Sequence, residues 1–204
     1  LYEKLGLEAL LKRAKARSLF AAFWVEDSPT NRKEIIEKCF TLAGEAVKIL
    51  ERQGDRRALA ETLGNLLTYF IESLPFIGEW KPLEERFQEA LQVGEKAITE
   101  FEAIEDSEGL LESLYMTLWL VADFILGVLG PSEQLEGVMF QQLKERLEKW
   151  SNRVAEVSAK IGTAYADCLA RHVSAHKAFL KNDPAGYWAP VEAAQLLSKS
   201  RLDW

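Results

Sequence analysis

A helix-pair pattern recurs about every fifty residues along this chain, and a fixed period of that length marks stacked helical hairpins. Gly44-Glu45 sits near the end of one amphipathic segment, and Gly94-Glu95 takes the same place in the next. Beyond the joints at Gly54-Asp55 and Glu105-Asp106 a second match follows. There Glu61, Leu63, Leu67 and Glu72 stand against Glu112, Leu114, Leu118 and Asp123. One inserted turn residue accounts for the small slip in spacing across the joint. Stacks of this kind serve as binding surfaces more often than as catalysts.

The helical pattern continues on both sides of the two matched hairpins. Leu5 to Val25 reads as the second helix of a hairpin whose first helix is missing or short, with small residues at Ala9, Ala14, Ala16, Ser18, Ala21 and Ala22. Asp27-Ser28-Pro29 supplies a stop, a cap and a proline suited to a first helical turn. From Arg32 to Gln53, Ile36, Phe40, Ala43, Val47 and Leu50 follow a four-three rhythm. Gly54 stops that helix and Asp55 caps the next, which carries Leu59, Leu63, Leu66 and Phe70. So short a joint makes the two helices antiparallel neighbours.

Pro75 opens a loop that lasts to Pro82. Phe87, Leu91, Gly94, Ile98 and Phe101 then restart the rhythm, and their partner is the apolar stretch from Ser107 to about Leu129. A third long helix follows a cap at Ser132, with Leu143, Leu147, Trp150, Val154, Val157 and Ile161 in step. Gly162-Thr163 turns the chain into a helix reaching about Lys181, and a last, shorter helix spans Pro190 to Ser200. No strand signal competes. The expectation is one all-α domain over residues 1–204, about seven to eight helices in antiparallel hairpins, as a processed chain or an excised piece of a longer one.

Composition narrows the function. A net charge of −7 and a pI of about 5.1 argue against direct binding of nucleic acid or of an anionic membrane. The local basic group Lys12, Arg13, Lys15 and Arg17 spreads over more than half of a helix circumference and reads as a solvated face. Leu110 to Leu129 is long enough for a membrane span, but Glu112 and Asp123 interrupt it, so it reads as a central buried helix. Cys39 and Cys168 lie far apart within helical patterns and read as small buried residues, which favours a reducing, cytoplasmic setting.

The segment Asp55-Arg56-Arg57-Ala58-Leu59-Ala60-Glu61-Thr62-Leu63-Gly64-Asn65-Leu66-Leu67 resembles a helix of the tetratricopeptide-repeat family. Gly44 to Asp55 resembles the end of the preceding helix and its turn in that family. The resemblance covers one hairpin well and a second loosely. It implies a right-handed superhelix of hairpins whose concave face binds a peptide, a partner helix or a neighbouring domain. In that family an Asn on the inner helix grips peptide, which makes Asn65, with Tyr69 one turn on, a candidate for the groove.

Other candidates come from the residues themselves. His172 and His176 are the only histidines and share a helix face one turn apart, the spacing of a metal-binding pair. No third ligand points to itself, and Tyr165, Leu169, His172, His176 and Phe179 also form a packing stripe. Asp123 lies in the most apolar helix, with Glu72 one repeat earlier. A buried carboxylate needs either a basic partner group in a groove or an internal ion pair. Of the six tryptophans, Trp119 and Trp150 read as core. Tyr187-Trp188, between Pro184 and Pro190, is either an exposed aromatic anchor or a cap on the end of the stack.

No phosphate loop, dinucleotide turn, nucleophile elbow or paired CxxC is present in the sequence. The expected function is a noncatalytic helical scaffold for a protein or peptide partner, with no cofactor and with room for a homodimer. The alternative is a sensor domain enclosing a small apolar ligand or a metal near Trp119, Asp123 and the histidines.

Overall fold

In the computed structural model, residues 2–76, 80–124 and 138–180 are described. They form seven α-helices and one 3-10 turn, and no strand occurs among them. The helices are α1 (Tyr2–Phe23), α2 (Pro29–Gln53), α3 (Arg56–Ser73), α4 (Trp80–Ala103), α5 (Ser107–Asp123), α6 (Val138–Ile161) and α7 (Ala164–Leu180), with the 3-10 turn at Leu74–Phe76. The fold is all-α, as expected. Tyr187, Trp188 and the anticipated helix from Pro190 to Ser200 lie outside the described residues. Two compact units divide the chain, Leu1–Gly109 and Leu110–Trp204.

Local sequence explains the helix boundaries. Ser28 caps α2 by accepting from the Asn31 amide, and Pro29 fills the first helical position, where no amide donor is required. The helix-to-helix joints repeat one device. Gly54, Glu105 and Gly162 all take the left-handed conformation, at φ 72°, 57° and 67°. The residue after each caps the following helix. Asp55 accepts from the Ala58 amide at 3.1 Å, Asp106 from the Gly109 amide at 3.0 Å and Thr163 from the Ala166 amide at 3.2 Å. The joint before α7 is thus built like the two before α3 and α5, although the helices around it share fewer residues. The loop expected up to Pro82 ends sooner, because Pro82 sits within the first turn of α4.

Within Leu1–Gly109, sequence neighbours run antiparallel and alternate helices run parallel. Gly6 of α1 lies near Gln53 of α2, and the Cys39 thiol donates to the Ala16 carbonyl at 3.3 Å. Phe40 of α2 meets Phe70 of α3 edge-on at 4.6 Å. Arg56 and Arg57 at the start of α3 reach Glu100 near the far end of α4 and Asp106 in the joint just beyond it. Phe20 of α1 packs on Tyr69 of α3 at 4.9 Å, and Arg13 pairs with Glu61. Glu37 and Glu51 of α2 pair with Arg86 and Lys96 of α4. The core is built from Ile36, Leu50, Leu63, Leu67, Phe87 and Leu91, none more than 2% exposed.

Within Leu110–Trp204, α6 and α7 form a hairpin closed at Gly162, and Lys177 of α7 reaches Glu148 and Asn152 of α6. Leu143, Leu147, Trp150, Val154 and Val157 are its buried stripe on α6. The residues of α5 in this unit lie parallel to α7, since Glu112 meets Tyr165 and Tyr115 meets His172.

Candidate functional site

Helix α5 carries two faces with different chemistry. Leu111, Leu114 and Leu118 are buried on one side, at 2% exposure or less. Glu112, Tyr115 and Trp119 recur at three- and four-residue steps on another, which places them in one row. Trp119 is 39% exposed, so it is a surface residue and not the core residue that its apolar neighbours suggest. On α7, Tyr165 and His172 are two turns apart and form a second row; Tyr165 is 40% exposed.

The rows meet rung by rung. The Tyr165 hydroxyl donates to the Glu112 carboxylate at 3.3 Å. The Tyr115 hydroxyl lies 3.4 Å from Nδ1 of His172, and the two rings are near parallel, 29° apart, with centroids 6.4 Å apart. Tyr115 in turn stands edge-on to Trp119 at 5.9 Å. Each hydroxyl is fixed at its polar tip while its ring stays partly open to water. Large aromatic rings held this way bury area on a partner at little cost in side-chain entropy. Glu112 is exposed beside three aromatic rings and meets no Lys or Arg among the described residues.

The expected site residues are dispersed. Asn65 is half-buried on α3, with no side-chain hydrogen bond among the described residues. Tyr69, one turn on, is 1% exposed beneath Phe20 of α1. Helix α1 therefore covers the Tyr69 side of α3, and Tyr69 acts in packing; burial pushes its phenol up to about 12. Asp123 ends α5, and its side chain lies outside the described residues. His172 belongs to the aromatic face, and His176 is half-buried one turn beyond it. No three metal-ligating side chains converge among the described residues. Glu72, the repeat mate of Asp123, is half-buried, and burial raises its carboxyl while Arg32 draws it down.

Other surface features carry little chemistry. An open groove along α2 is lined by Lys33, Glu34, Glu37, Lys38 and Thr41, a charge-alternating solvated row on a single helix. The basic group of α1 divides. Lys12 and Arg13 pair with Glu45 and Glu61, while Lys15 and Arg17 stay exposed. Cys39 is buried and its thiol is pushed up to about 11 by that burial, which leaves it unreactive. No described helix is long and apolar enough to cross a membrane.

The signal for the aromatic face was present as spacing. Glu112, Tyr115 and Trp119 keep one row inside an apolar helix, and Tyr165 and His172 keep one row on α7. Periodicity alone does not say which of two rows faces water. By sequence, no protein-family model and no curated protein matches the chain.

Proposed function

We propose that this protein is a noncatalytic scaffold of helical hairpins that binds a protein or peptide partner, and that the partner seats on the α5–α7 face. The observation that carries the proposal is the rung pair Glu112–Tyr165 and Tyr115–His172 beside exposed Trp119. A face with aromatic anchors and oriented hydroxyls resembles the hot-spot composition of peptide-binding surfaces. Parallel pairing of alternate helices supports the tetratricopeptide-like reading and its right-handed superhelix. Both belong to this proposal, as does a cytoplasmic setting, which the low cysteine content favours.

A selection of random peptides displayed on phage tests the reading. Wild-type protein is expected to enrich a convergent family of sequences, and the Trp119→Ala/Tyr165→Ala variant is expected to lose it. Enrichment of the same family by both proteins would place the partner elsewhere.

A further inference from the structure

Helix α1 is apolar on opposite sides. Ala9, Ala16 and Phe23 point inward, at 0%, 1% and 3% exposure. On the other side Leu7, Leu10 and Leu11 are 69%, 49% and 66% exposed, and exposed Ala14 and Ser18 continue the row at three- and four-residue steps. Val25, just past the helix, extends it at 80% exposure. From Leu7 to Ser18 the stripe is about 17 Å long at 1.5 Å per residue. Apolar rows on two opposite sides of one helix are those of a helix that is covered on both sides. Helix α3 shows the contrast: Leu59, Leu63, Leu66 and Phe70 are all exposed by 7% or less.

We infer that the outer face of α1 binds a second copy of this chain, α1 against α1 and antiparallel, across a two-fold axis near Leu11. Charge selects this occupant. Glu8 and Lys15 are both exposed, flank the stripe on the same side, and lie about equally far from Leu11 in opposite directions. An antiparallel pair centred there sets Glu8 of each copy beside Lys15 of the other, giving two reciprocal ion pairs. The same register lays Leu7 of each copy over Ala14 of the other, a large side chain against a small one, with both Leu11 side chains on the axis. The inference uses residues of α1 alone, so it stands without the proposed function.

Sedimentation equilibrium of the full chain tests it. A mass of twice the 23.1 kDa monomer is expected as concentration rises through the micromolar range. Leu11→Glu is expected to give a monomer with unchanged helical circular dichroism. Lys15→Glu is expected to weaken the dimer about tenfold, and Glu8→Lys added to it to restore the affinity. Leu11→Cys is expected to form a disulfide with its own mate at the axis. A wild-type chain that stays monomeric overturns the proposal, as does a dimer indifferent to Leu11→Glu or a charge swap that restores nothing. A monomer in which Leu11→Cys resists thiol labelling also overturns it, because another segment of the same chain then covers the stripe.

Discussion

The Arg13 guanidinium of α1 pairs with the Glu61 carboxylate of α3, 48 residues further along the chain. Arg86 and Glu37 are 49 residues apart, and Lys96 and Glu51 are 45. These separations fall close to the fifty-residue recurrence for a simple geometric reason. Alternate helices run parallel in this unit, so residues about one helix pair apart in sequence become neighbours, and opposite charges placed there meet. The Arg13 and Glu61 side chains keep 17% and 36% exposure, so solvent screens much of the attraction. A double-mutant cycle with Arg13→Ala and Glu61→Ala, followed by urea unfolding, is expected to return a coupling of about 0.5–1 kcal/mol. Its size is expected to shrink in high salt.

Gly109 has no room for a side chain. A Cβ added there would overlap the Phe101 ring, and Phe101 is only 6% exposed, so the ring has nowhere to swing. Gly109→Ala is expected to destabilise the protein by about 1–3 kcal/mol despite the higher helix propensity of alanine. A urea midpoint at or above that of wild type would show that the ring yields.

Glu105 does at its joint what Gly54 and Gly162 do at theirs, with a side chain present at φ 57°. The left-handed region strains any residue that has a Cβ. Glu105→Gly is therefore expected to stabilise the fold by about 0.5–1 kcal/mol, once the added freedom of glycine in the unfolded chain is subtracted. Thermal melting reads this directly as a rise in Tm.

Glu72 predicts a pH dependence. Burial raises its carboxyl above the ordinary carboxylate range, against the pull of Arg32. The folded state therefore holds this proton more tightly than the unfolded chain does. The group's contribution to stability is full below the ordinary carboxylate value and is lost as pH rises through the raised folded value. Glu72→Gln is expected to match wild type in unfolding free energy near pH ~4 and to exceed it at neutral pH. A constant difference between the two proteins across that range would remove the burial argument.

The joints were legible in the sequence because caps and left-handed residues act over a few positions. Gly54-Asp55, Glu105-Asp106 and Gly162-Thr163 each state their turn within two residues. The sidedness of the helices was less legible. Tyr69 follows a groove-like spacing from Asn65, but Phe20 of α1 lands on it, and no local rule announces where a distant helix will land. Trp119 sits among Leu118, Leu120 and Val121, and its exposure depends on which of two rows in α5 turns outward. The aromatic face itself needed two helices brought together, Glu112 to Tyr165 and Tyr115 to His172, across 53 and 57 residues.

The central claim, that a partner seats on the α5–α7 face, meets its most direct test at Trp119. The protein is labelled with 5-fluorotryptophan, the Trp119 resonance is assigned with Trp119→Phe, and a peptide from the display selection is titrated in while 19F spectra are recorded. The account predicts that the Trp119 resonance shifts or broadens with the binding isotherm, more than the buried Trp150, and that Tyr165→Ala weakens the affinity by about tenfold or more. Saturable binding that leaves the Trp119 resonance in place contradicts it.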